Sequence, residues 1–262
     1  MTSSNVTFDV LVSTMHQKGH TLLEKMNIQS NAIVINQCDR YEFEEIEYNG
    51  NHIKFLSFAE RGIGLSRNIA LMRSTADICL FADDDVVYVD NYEKIIINAF
   101  LKKPEADMII FNVPCSNEDR NPKKIINEKK LHLHNAMSFG TYRIAIRRNG
   151  ALKNGIYFSL MFGGGAKYSA GEDSLFISDF FKKGCKVYSD PSIIGYVDHK
   201  ESTWFNGYND KYFIDKGVFF YTISKKFGRL LCLQYVLRKY KLFQNEKTRM
   251  EALKLMLRGV KK

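Results

Sequence analysis

An apolar run of five residues, Ile78–Ala82, passes directly into three consecutive carboxylates, Asp83, Asp84 and Asp85. The run is too short for a core helix, and it reads as a buried β-strand. Three adjacent carboxylates repel one another unless a cation or a set of donors offsets the repulsion. They stand at the carboxyl end of the strand, where open α/β sheets place their ligands. In extended geometry Asp83 and Asp85 point to one side and Asp84 to the other. Two hard oxygen ligands on one side suit Mg²⁺ or Mn²⁺ that also contacts phosphate oxygens. The plainer alternative is an Asp-rich turn that caps the helix following it.

The rest of the chain supplies a sheet for this strand to belong to. Phe8–Ser13, Ala32–Asn36 and His52–Phe58 are predicted strands, and Met108–Val113 follows Ile78–Ala82 as a fifth. Helices are predicted over His20–Asn27, Gly64–Ser74 and Tyr92–Lys102 between them. Such alternation predicts an α/β fold whose sheet is largely parallel over the first 115 residues. Beyond Pro114 the pattern changes. Ser116–Lys130 is polar and charged, as a surface loop or insertion would be, and Thr141–Arg147 alternates like a strand. Gly163-Gly164-Gly165 marks a tight turn or a mobile loop. Glu172–Lys182 has helical spacing, and Lys186–Tyr188 and Ile193–Val197 are short strands. These elements predict one domain over 1–224, with halves at about 1–115 and 116–224, and an appendage over 225–262.

Charge is concentrated in that appendage. Residues 225–262 hold 12 Lys/Arg and 2 Asp/Glu, whereas residues 1–224 hold 26 and 27 and are nearly neutral. Leu230, Leu233, Leu237 and Tyr240 recur at helical spacing beside Val236 and Phe243, with Arg238 and Lys239 on another side. Basic amphipathic helices of this kind lie on anionic membrane surfaces, or else they dock on a domain and expose their lysines. No nucleic-acid motif accompanies the charge, so no nucleic-acid partner is expected. No apolar stretch approaches a bilayer span, and Met1–Asp9 lacks the pattern of a secretory signal. The five cysteines are scattered in apolar surroundings, which argues against a disulfide framework or zinc cluster. A cytoplasmic protein is the expectation, peripheral on the inner face of the cell membrane where the basic tail binds it.

Two further features carry chemistry. Glu172-Asp173 follows a glycine and opens a predicted helix, where acids also complement the macrodipole. His199 follows a strand and is polar on both sides.

Taken in order, the motifs resemble glycosyltransferase family 2. Gly62-Ile63-Gly64-Leu65-Ser66-Arg67-Asn68, followed by Ile78–Asp85, is similar to the glycine-rich Arg-Asn helix start and the strand ending in Asp-x-Asp of its GT-A fold. Arg147-Arg148-Asn149-Gly150-Ala151-Leu152 resembles the strand and turn before the acceptor side. Gly171-Glu172-Asp173 resembles the Glu-Asp motif that supplies the catalytic base, and His199 stands where a histidine near the metal is often found. The similarity spans about residues 7–205. It implies a Rossmann-like mixed sheet and an inverting, Mn²⁺- or Mg²⁺-dependent hexosyl- or N-acetylhexosaminyltransferase. The donor implied is a nucleotide sugar, with UDP the expected nucleotide. The acceptor implied is a glycan or lipid-linked glycan of cell-surface polysaccharide synthesis, such as capsule.

The resemblance also assigns residues. Asp83 would contact the ribose or base side of the nucleotide, with Asp84 beside it. Asp85, with Asp83 and His199, would hold the divalent cation on the diphosphate, and Asp173, with Glu172 beside it as a second catalytic residue, would deprotonate the acceptor hydroxyl. Arg67 would lie near the nucleotide, and Ser13 and Thr14 would line the base pocket. Where the family commonly has an acidic residue facing the base, this chain has Gln37, whose amide can still hydrogen-bond a uracil edge. Asp39 stands two residues on. Two other classes match parts of the pattern. Asp83 and Asp85 fit the nucleophile motif of haloacid-dehalogenase-like phosphatases, although that motif usually closes the first strand. A non-catalytic α/β scaffold binding nucleotide or anionic lipid is the other.

Overall fold

The computed structural model describes residues 6–115, 123–197 and 207–261. It divides into two compact units, one of Met1–Leu160 with Glu172–Lys200 and one of Met161–Gly171 with Glu201–Lys262.

The first unit is built on β1 (Phe8–Met15), α1 (Thr21–Lys25), β2 (Ala32–Gln37), β3 (Glu42–Tyr48), β4 (Asn51–Phe58), α2 (Ile63–Arg73) and β5 (Ile78–Asp83). It continues through β6 (Val86–Tyr88), α3 (Tyr92–Lys102), β7 (Met108–Asn112), β8 (Lys129–Lys130), α4 (Leu133–Ala136), β9 (Ile144–Arg147) and α5 (Arg148–Lys153). α6 (Glu172–Lys182), β10 (Val187–Ile193) and β11 (Gly195–Val197) complete it. Among the described residues, nine strands form one mixed sheet in the order β3-β4-β2-β1-β5-β9-β7-β10-β8. β1, β2, β4 and β5 run parallel, and β9 is wedged antiparallel between β5 and β7. The α/β architecture expected from the alternating pattern is thus present.

The apolar runs look continuous because both sheet faces are covered. Val10 and Val12 of β1, with Ile78, Leu80 and Ala82 of β5, join one core with α1 and α3. Leu11, Cys79 and Phe81 join the opposite core with α2, α5 and α6. Period-two alternation therefore separates two apolar layers rather than core from water. β3 differs. Its sequence, EFEEIEY, puts exposed glutamates along the sheet edge, a composition that discourages pairing with other chains.

Two expectations for the stretch after Pro114 are corrected in this unit. Thr141–Arg147 is a strand only from Ile144; Thr141–Arg143 is a 3-10 turn. The turn forms because Arg143 folds inward, fully buried, and donates to the Phe111 carbonyl at 2.8 Å and to Asn112 Oδ1 at 3.1 Å. The polar segment after Pro114 is also anchored from Lys123 onward. Ile125 is buried, its N–H donates to Asn112 Oδ1 at 2.9 Å, and Lys129–Lys130 pairs with β10.

In the second unit, α7 (Asp210–Ile223), α8 (Gly228–Lys239) and α9 (Arg249–Val260) surround a core of Phe213, Cys232, Val236, Phe243, Ala252 and Met256. α7 begins at Asn209, whose side chain accepts the Tyr212 N–H, and α9 begins with a capping box of Thr248 and Glu251. α7 and α9 approach closely at Gly217, where an added Cβ would stand 1.9 Å from the Met256 carbonyl oxygen. The Lys216 ammonium lies 5.1–5.8 Å from the ring centres of Tyr212, Phe219 and Tyr235, and its burial lowers its pKa. Gly163–Gly165 forms a hydrogen-bonded turn, with Gly163 N–H donating to the Tyr168 carbonyl at 2.9 Å. Among the described residues no helix is long and apolar enough to cross a membrane.

A three-ring cluster occupies the centre of the first unit. Phe158 stacks on Phe176 of α6 with ring centres 3.9 Å apart, and Phe81 of β5 meets both edge-on at 5.1 and 5.4 Å. Phe81→Ala is expected to lower the unfolding free energy by about 3–5 kcal/mol. The urea midpoint at unchanged slope measures it.

Candidate active site

Three elements meet above that ring cluster, each bringing polar groups from residues next to the rings. Asp83 stands two positions after Phe81 on β5 and so projects to the same face. Glu172 and Asp173 stand one helical turn before Phe176 on α6. α2 supplies Arg67, whose guanidinium lies 5.2 Å from the centre of the Phe158 ring.

The Arg67 side chain, only 4% exposed, ties these acids together. Its Nη2 donates to Asp83 Oδ1 at 2.8 Å, and its Nη1 donates to Asp173 Oδ1 at 2.8 Å with Glu172 Oε1 at 3.5 Å. Burial alone would lower the Arg67 pKa, but the charges of Asp83, Asp173 and Glu172 outweigh it and hold the group above its ordinary value. Thr141 grips Asp173 from the other side, with its hydroxyl on Oδ1 and its N–H on Oδ2 at 3.3 Å. Glu172 is pushed up to about 7, first by burial and then by the Asp173 charge, against the opposing pull of Arg67. Burial likewise raises the Tyr142 hydroxyl to about 12. Arg143 opposes that shift, while Asp83, Asp85 and Asp173 reinforce it.

α2 is fixed so that Arg67 reaches this point. Gly64 allows the helix to approach the chain at Ser159, where a Cβ would lie 2.6 Å from the carbonyl oxygen. Asn68 exchanges two hydrogen bonds with the Phe158 backbone, at 2.8 and 2.9 Å. The Gly62 N–H at the helix start donates to Gln37 Oε1 at 2.7 Å. Gln37, expected to face a nucleobase, therefore has its carbonyl committed to α2.

Ser13, Thr14, Asp84 and Asp85 stand at the carboxyl ends of β1 and β5, where the strand order reverses. Ser13 pairs in register with Asp83, and its hydroxyl is buried without a hydrogen-bond partner. Thr14 donates to Asp84 Oδ2 at 2.5 Å and accepts from Gln17 Nε2 at 2.9 Å. The strand ends at Asp83, and Asp84-Asp85 form the tight turn into β6, so the strict alternation expected of three extended aspartates does not hold. Asp39 is exposed in the bend after β2. His199 lies outside the described residues. Among the described residues no three His, Cys, Asp or Glu side chains form a group able to hold a metal.

Gln17, Thr141 and Tyr142 escaped the sequence reading. None lies in a motif, and Thr141 earns its place only through the turn that buried Arg143 creates. Asn68 was visible as half of the Arg-Asn pair, but its grip on Phe158 was not.

The model of the glycosyl transferase family 2 matches residues 21–162, more than half of the chain. The chain belongs to glycosyl transferase family 2. It is accordingly a glycosyltransferase, which displaces the phosphatase and non-catalytic readings of Asp83 and Asp85. The match ends before α6, so Glu172 and Asp173 stand outside it. Solved structures of Staphylococcus aureus TarS share the GT-A fold. TarS 1–349 in complex with UDP-GlcNAc aligns at TM-score 0.67 and 15% identity, over 97% of this chain and 81% of that one. Its complex with UDP aligns at TM-score 0.66, with the same identity and coverage. A further TarS structure gives 0.62 over 89% of this chain and 43% of that one. No curated protein sequence matches the chain at a significant level.

Glu172 yields a pH test. Its folded pKa of about 7 exceeds the ordinary 4.5, so the folded state binds the proton more tightly than the unfolded chain does. Stability then falls as pH rises from 4.5 towards 7, and the loss is complete above it. Glu172→Gln is expected to flatten this part of the profile and to gain stability relative to wild type above neutrality. Thermal unfolding of both proteins across the window measures the difference.

Proposed function

We propose that the enzyme transfers one sugar, with inversion, from a UDP-hexose or UDP-N-acetylhexosamine to a hydroxyl of a glycan or lipid-linked glycan. Cell-surface polysaccharide synthesis, capsule included, at the cytoplasmic face of the membrane is the proposed setting. The observation that carries the proposal is the Arg67 bridge, which holds Asp83 at the sheet switch point and Asp173 at the head of α6 at 2.8 Å each. One group of acids thereby serves both a donor and an acceptor side. Fold likeness to TarS complexes with UDP and UDP-GlcNAc supports the choice of nucleotide.

The reaction is a single displacement. The acceptor oxygen bonds to the anomeric carbon as the bond from that carbon to the diphosphate oxygen breaks, and UDP departs with the electron pair. Asp173 takes the acceptor proton, for which a carboxylate at hydrogen-bond range is required. Arg67 and Thr141 fix the orientation of that carboxylate, which limits its freedom to turn from the acceptor. Ser13, Thr14, Gln37 and Asp39 form the nucleotide side, with Gln37 Nε2 donating to a carbonyl of the base.

The donor set at the β5–β6 turn fits a hard divalent cation. Asp85 and the second oxygen of Asp83 are carboxylate oxygens, and Mg²⁺ or Mn²⁺ commonly takes one or two such ligands and completes its shell with phosphate and water. His199 is proposed as a further ligand. When bound, the cation would offset the negative charge that develops on the departing diphosphate.

Two variants separate these roles. Asp173→Asn is expected to bind UDP-sugar normally while transfer falls roughly 10²–10⁴-fold, read by calorimetry and product formation on the same preparation. Wild-type turnover in that variant removes Asp173 from the mechanism. Asp85→Ala is expected to abolish the extra thermal stabilisation that Mn²⁺ adds to UDP binding. An undiminished Mn²⁺ effect refutes the proposed cation site.

A further inference from the structure

The helices of the second unit present a feature that glycosyl transfer does not use. α8 is apolar on two different sides. Cys232 and Val236 point into the three-helix core, whereas Leu230, Leu233 and Leu237 point outward and are 60%, 40% and 60% exposed. At about 100° per residue these leucines share one ridge. Phe227 and Leu242, just outside either end of α8, are also exposed. The sequence reading placed these leucines and Val236 together on a single apolar face; the structure splits them between core and solvent.

Cations frame the ridge. Lys225, Lys226, Arg229, Arg238, Lys239 and Lys241 occur within this stretch, and residues 225–245 contain no Asp or Glu. At the N-terminal end of α8 an open cavity of about 520 Å³ is lined by Tyr221, Lys225, Lys226, Arg229, Val260 and Lys261. Four cations thus meet around one concavity without a carboxylate in its wall.

We propose that this ridge and cavity form a docking surface for a bilayer of anionic phospholipid. The leucines would enter the acyl boundary, and the lysines and arginines would meet the phosphates, with the cavity receiving a headgroup. Charge decides against the other occupants. A second copy of the chain would bring two acid-free cationic surfaces together across a self-complementary interface. A nucleic acid would satisfy the cations and leave the leucines in water. The inference is independent of which sugar is transferred.

Sedimentation of the full-length chain with vesicles tests it. Binding to mixed phosphatidylcholine–phosphatidylglycerol vesicles is expected to exceed binding to phosphatidylcholine alone by roughly 10-fold or more, and to weaken with added salt. Lys225→Glu combined with Lys226→Glu and Arg229→Glu is expected to lose this preference. Leu230→Ser combined with Leu233→Ser and Leu237→Ser is expected to lower binding at least as far. All six positions are solvent-facing, so circular dichroism and the thermal midpoint should match wild type; if the serine variant misfolds, the charge-reversed one decides. Equal binding to neutral and anionic vesicles, or undiminished binding by the charge-reversed variant, overturns the proposal. So does a dimer in sedimentation velocity that the serine variant disperses, when vesicle binding is absent.

Discussion

A single buried guanidinium organises the catalytic unit. Arg67 joins β5, α2 and α6 by satisfying carboxylates from two of those elements with donors from the third. An arginine suits the position better than a lysine, because its planar fork reaches Asp83 and Asp173 with different nitrogens while its flat face rests on Phe158. Burying such a group is costly without partners, and clustering three carboxylates is costly without a cation. Each side supplies what the other lacks. The aromatic floor below excludes water, which strengthens the attraction and fixes its geometry.

How much of this was legible in the sequence depended on the range of the forces involved. The strands β1, β2, β4, β5 and β7 were visible because apolar runs of strand length have few other ways to be buried. Asp83 to Asp85 announced themselves by a local electrostatic conflict, and Glu172-Asp173 by its place at a helix start. The answer to that conflict was not visible, since Arg67 lies far from Asp173 in the chain and meets it only through the crossing of α2 and α6. β3 was missed because its glutamates mask an alternating pattern on an exposed edge. Thr141 was missed because a buried arginine, Arg143, breaks what reads as a regular strand.

The second unit shows a different limit. Helical spacing correctly indicated α8, yet a list of apolar positions does not say how many faces they make. α7 went unread although Asn209-Asp210 is a serviceable helix start, and its partners lie in the basic tail. Positive charge drew attention to that tail as a surface element, while Cys232, Val236, Ala252 and Met256 give it a core as well. Charge and burial are thus sorted by helix face rather than by segment.

The short connection into α2 has a consequence for how chains of this kind can diverge. Its start is moored at Gln37, its middle is held by Asn68 on the Phe158 backbone, and Gly64 leaves no space for the axis to shift. One residue added or removed between Gly62 and Arg67 would swing the guanidinium about 100° around the helix axis. Such an indel would strand the acids it serves, so over these few positions the backbone cannot change length.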